Sequence, residues 1–219
     1  MKTRMLGLGW VLVAGFAGNG LAQTKPAPVQ VVVPHGYVGI GAAQTIFSLN
    51  DDQVNAPGAT ASTLNQGNNQ TGYRFFAGYR FHRNLSIEGT LTDYGKFTDT
   101  RTVTAPVSGN LVAQTRIQGG SLDLVGWWPF DNGFSFLGKI GGLYANTQTY
   151  YYTEGGYALP PGHKTYVRNS EFVAKYGLGL AYAITERINL RIEYEVAPKV
   201  GEEIEGDVKA AFFSVQVRF

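Results

Sequence analysis

The 219 residues include 29 glycines, 13% aromatic side chains and no cysteine, and 18 basic against 16 acidic groups leave a formal charge of +2. Without cysteine there is neither a disulfide framework nor a thiolate metal site, and so small a charge offers no electrostatic footprint for nucleic acid. So much glycine also argues against a helical domain, whereas β-barrels use glycine where side chains crowd and aromatics at membrane interfaces.

Met1-Lys2-Thr3-Arg4 precedes an apolar run from Met5 to Ala17, and Gly20-Leu21-Ala22 supplies the small residues of a cleavage site. Residues 1–22 therefore read as a secretory signal peptide, because the run is shorter than the ~18 apolar residues of a membrane helix. Cleavage would remove Lys2 and Arg4 and leave 16 basic against 16 acidic side chains, a formal charge of zero. Residues 23–35 form a Pro-containing leader, expected in the periplasm, and residues 36–219 form one domain.

That domain alternates in hydropathy over eight predicted strands: 36–47, 71–81, 85–97, 113–129, 133–148, 171–184, 187–197 and 207–219. Period-two alternation marks a strand with one apolar and one polar face. The connections alternate too. Those at 48–70, 98–112, 149–170 and 198–206 are long, whereas 82–84, 130–132 and 185–186 are tight. Eight antiparallel up-and-down strands with all long connections at one end suit an outer-membrane barrel; a soluble lipocalin-like barrel is the alternative.

The location of the charges separates the two. Leu85, Ile87 and Leu91 alternate with Ser86, Glu88 and Thr90; Leu122 and Leu124 with Asp123; Phe136 and Ile140 with Lys139; Tyr176 and Leu178 with Lys175, Gly177 and Gly179; Ile192 and Tyr194 with Arg191, Glu193 and Glu195. Glycine shares a face with charge, which makes sense where that face is the crowded inside. The sequence ends in "AAFFSVQVRF", with Phe213, Val215, Val217 and Phe219 on one face to the final residue. Tyr37, Trp127, Trp128, Phe130, Phe134, Tyr182 and Phe219 gather near the tight-turn end, as an interfacial girdle would. The expected fold is an all-β, eight-stranded antiparallel up-and-down transmembrane β-barrel.

"GYRFFAGYRFHRNLSIEGTLTDYGKF", "FLGKIGGLYANTQ", "GLGLAYAITERINLRIEYE" and the closing "FFSVQVRF" resemble the OmpA-like transmembrane domain over residues 36–219. The resemblance implies an outer-membrane barrel of a Gram-negative envelope with both termini periplasmic. Lipid and lipopolysaccharide would surround it, and barrel-assembly machinery would read Phe213, Val215, Val217 and Phe219. Glu88, Lys139 and Arg191 fall where the family carries interior charges, while Val125 and Ala181 replace two others. No peptidoglycan-binding domain is expected after the last strand.

The interior candidates are Arg74, Arg80, Glu88, Asp123, Lys139, Lys175, Arg191, Glu193, Glu195 and Arg218. They read either as a mutually neutralising plug or as an ion path, and a barrel this narrow favours the plug. Tyr150, Tyr151, Tyr152, Tyr157 and Tyr166 are possible loop contacts, or else mark strands that continue above the membrane. His35, His82 and His163 accompany no strand-end serine, and Asp51-Asp52 and Glu202-Glu203 read as solvated loop carboxylates. No catalytic, metal or cofactor site is expected. A structural role is the leading expectation; a small diffusion pore and an adhesin or receptor acting through the loops are the alternatives.

Overall fold

The computed structural model describes residues 34–49, 56–67, 69–201 and 206–219. The expected signal peptide and most of the expected leader lie outside them, as do Asp51-Asp52 and Glu202-Glu203. Among the described residues there are nine strands: β1 (His35–Leu49), β2 (Ala61–Gly67), β3 (Asn69–His82), β4 (Leu85–Ala105), β5 (Gly109–Pro129), β6 (Phe134–Gly155), β7 (Tyr166–Ala183), β8 (Ile188–Val200) and β9 (Gly206–Arg218). All pairings are antiparallel. β3, β4, β5, β6, β7, β8 and β9 follow one another around the sheet, and β1 pairs with both β3 and β9 to close a ring of eight. The ninth strand is a second segment of one ring position: β3 faces the first half of β4, and β2 the second half. Each of the eight ring strands thus has a neighbour on both sides, as a membrane barrel requires, while β2 and residues 166–175 of β7 have a ladder partner on one side only.

The ring has a turn end, with connections at 83–84, 130–133 and 184–187, and an opposite loop end. Sequence periodicity understates the strands at the loop end. β4, β5 and β6 run for 21, 21 and 22 residues, about twice the 9–11 that a bilayer needs. Most of the expected connection 98–112 is therefore ladder, leaving only Pro106–Ser108 between β4 and β5. Residues 149–155 and 166–170 likewise belong to β6 and β7.

Apolar side chains form an outer belt. On β3 it runs from Tyr73 to Phe81, on β7 from Phe172 to Tyr182, and these side chains are largely exposed to the surroundings. At the loop-end border of the belt Asp93 accepts from Arg116 at 2.7 Å and from Gln118 at 2.8 Å. At the turn end Trp128, Phe130, Phe134, Tyr182 and Phe219 face outward. Tyr37 and Trp127, expected in the same girdle, instead point inward and are 1% and 2% exposed. Both share the parity of interior residues, Tyr37 that of Gly39 and Trp127 that of Asp123, and the pleat carries them inside.

Candidate functional site

The barrel interior is filled in layers. In the middle, β3, β4, β5, β6, β7 and β8 turn alternate residues inward, bringing Arg74, Lys139, Lys175 and Arg191 against Glu88, Asp123, Glu193 and Glu195. Lys139 Nζ lies 2.8 Å from Glu88, 2.9 Å from Glu193 and 3.0 Å from Glu195. Lys175 Nζ reaches Asp123 at 3.0 Å and Glu195 at 3.1 Å. Arg191 joins Glu88 and Glu193, each at 2.7 Å. Arg74 pairs with Glu195 at 2.7 Å and donates to Glu193 and Ser214.

Four cations meet four carboxylates in this layer, so it is neutral as a unit, which is how charges persist out of water. Ring faces complete the shell. Phe212 and Phe76 lie 4.3 and 5.0 Å from the Arg74 guanidinium carbon, and Phe76 and Trp127 lie 4.6 and 5.3 Å from that of Arg191. Such ring faces attract a desolvated cation. Glycine makes room for them: a Cβ on Gly39 would stand 2.2 Å from the Phe76 ring, and one on Gly78 2.3 Å from that of Tyr37.

Toward the turn end Tyr37 donates to Glu88 at 3.0 Å, and the Trp127 indole donates to Ser86 at 2.8 Å. Val125, Trp127, Leu137 and Ala181 then form an apolar plate. Val125 and Ala181, where the resemblance led to an expectation of charge, are part of this plate. Toward the loop end Phe47, Tyr94, Phe97, Ile117, Leu143 and Phe212 belong to a larger apolar cluster, and Val103, Leu111 and Tyr157 to a smaller one.

The remaining interior candidates lie apart from the network. Arg80 is buried near the turn end over the Trp127 ring at 4.7 Å. Arg218 is half-buried and lines the turn-end mouth. Phe213, Val215, Val217 and Phe219 face outward on β9 beside β1. Sequence reasoning placed Ser86 on the inward polar face with Glu88 and missed Tyr37 and Trp127 as members of the polar interior, although strand parity marks both.

The five tyrosines separate. Tyr150 and Tyr166 pack ring to ring outside, with centroids 4.7 Å apart, and Tyr152 is also exposed. Tyr151 turns inward between the two loop-end clusters. Tyr157 is buried and donates to the Pro57 carbonyl at 2.9 Å, so it offers no ring to an outside ligand. His82 is exposed and accepts from the Asn84 amide at 3.3 Å, and His163 lies in the connection before β7. Among the described residues no three His, Asp or Glu side chains converge as a metal site.

The OmpA-like transmembrane domain family matches residues 34–218. Neisserial surface protein A matches 84% of this chain and 97% of its own, at 13% identity and a TM-score of 0.52. Ail, the attachment invasion locus protein of Yersinia pestis solved with the heparin analogue sucrose octasulfate, matches 85% and 99%, at 12% identity and 0.50. The outer membrane protein AlkL, solved in DMPC bilayers, matches 84% and 90%, at 12% identity and 0.53. Likeness at these identities speaks for the fold alone. No curated protein matches the chain.

Proposed function

This chain belongs to the OmpA-like transmembrane domain family and is an outer-membrane β-barrel, and from that premise we propose that its work is structural and non-enzymatic, supporting the integrity of the envelope. In this reading the turn end and both termini face the periplasm, lipid and lipopolysaccharide surround the belt, and barrel-assembly machinery inserts the chain through Phe213, Val215, Val217 and Phe219. One observation carries the reading: the neutral ionic layer lies between apolar layers toward both ends. A desolvated ion meeting Leu137 and Trp127 on one side, and Phe47 and Phe97 on the other, loses hydration without gaining ligands.

Single-channel recording of the protein in a planar bilayer tests this. Silence is expected. Discrete, ion-selective steps, altered by Glu88→Gln, would establish the pore alternative instead. A recognition role for the rim is the second reading, supported by the exposed Tyr150–Tyr166 pair on strands that continue beyond the belt. Exchanging both tyrosines for alanine should then abolish surface binding and leave the barrel folded.

A further inference from the structure

We propose that the turn-end mouth of the barrel is a binding site for a phosphate-bearing ligand, centred on the buried guanidinium of Arg80. Arg80 is 6% exposed. Its only protein acceptor among the described residues is the Arg83 carbonyl oxygen, to which Nη2 donates, and its Nε has no acceptor. The contrast with the ionic layer is direct. Arg74, Lys139, Lys175 and Arg191 each stand within 3.1 Å of at least two carboxylates, whereas Arg80 forms no ion pair among the described residues. Its neighbour is instead the face of Trp127. A buried cation without a counter-charge is costly, and a ring face offsets only part of that cost.

The unpaired guanidinium borders a cavity of about 570 Å³, large enough for a small ligand or a headgroup. Its charged lining is Arg80, Arg83, Arg218 and Asp131, with His35 and Asn189 beside them. Three guanidiniums against one carboxylate leave an excess of two positive charges. Asp131 is exposed on the β5–β6 turn and makes no ion pair with these arginines. Guanidinium forks suit oxyanions that accept several hydrogen bonds at once, and a phosphate dianion or diester matches both the charge and the donor set. Phe130 and Phe134 form part of the wall and are exposed on the belt side, so a lipid headgroup has an apolar approach as well as an aqueous one. The site does not depend on whether the barrel conducts or adheres.

The test uses the full barrel purified from membranes into octyl glucoside in phosphate-free buffer of fixed ionic strength. Titrations with inorganic phosphate and with dihexanoyl phosphatidylglycerol are followed by calorimetry and phosphorus NMR. Saturable binding is expected, weakened on the order of tenfold or more in Arg80→Gln and to a smaller extent in Arg218→Gln. Binding of both probes would mean that the phosphate group suffices; binding of the lipid alone would identify a headgroup as the source. No saturable binding of either probe, or binding indifferent to both substitutions, would overturn the proposal.

Discussion

Glu193 faces three cations at once, Arg74, Lys139 and Arg191, and is fully enclosed. Replacing it by glutamine keeps its shape and removes its charge, leaving four cations against three carboxylates in a layer without water contact. Breaking a buried pair on one side typically costs about 3–5 kcal/mol. Glu193→Gln should therefore lower the unfolding free energy, read from urea titration in micelles, by that order. The double variant with Arg191→Gln restores neutrality and should recover part of the loss, and a strictly additive double variant would show that the layer does not act as a unit. Most members of this layer were legible in the sequence because charge on one parity of a strand has few places to go. Tyr37 and Trp127 were misread because an aromatic near a barrel mouth suits either face. Their parity with Gly39 and Asp123 held the answer, and residue type alone did not.

At the scale of the strand, hydropathy stopped being informative where lipid stops. Beyond the belt, β4 carries Thr98, Thr100 and Thr102 on one parity and Asp99 and Arg101 on the other, and two-sided polarity of this kind resembles a loop. A second reason is the irregularity at Gly95. The interior residues of β4 are even-numbered through Tyr94 and odd-numbered from Phe97, so the alternation changes phase within one strand. Gly95 has φ of 96°, and a Cβ there would stand 2.9 Å from the Gln70 Cβ and 3.0 Å from the Thr71 carbonyl. Bulges of this kind need glycine. Gly95→Ala should cost about 1–3 kcal/mol, read as a lower melting temperature with the β content of the circular dichroism spectrum unchanged. The tight turns were the opposite case, since 83–84, 130–133 and 184–187 stand within a few residues of expectation. By the same token residues 158–164, which belong to no strand, are the part of the β6–β7 connection that can be shortened. A deletion from 150 to 166 would take ladder residues and the Tyr157–Pro57 contact with it.

For the molecule as a whole, the up-and-down order was written in the alternation of long and short connections, but the closing register was not, because no local pattern sets which residue of β9 meets which of β1. Thirteen register pairs join the two, from Tyr37–Arg218 to Leu49–Gly206. Phe219 stands just past that ladder. Its amide donates to the Gly36 carbonyl at 3.0 Å, its ring packs where a Gly36 side chain would be, and it is otherwise 77% exposed. Deleting it removes one hydrogen bond and one outer ring and touches none of the interior layers. The folded barrel should therefore lose no more than about 1 kcal/mol in micelles, as for a single outward contact. If the same residue is also part of what the assembly machinery reads, the amount inserted in the cell should fall severalfold. The two measurements separate recognition from closure: a drop in cellular insertion with stability retained assigns Phe219 to recognition, an equal drop in both assigns it to the β1–β9 seam, and no change in either removes the assembly role proposed for the terminal strand.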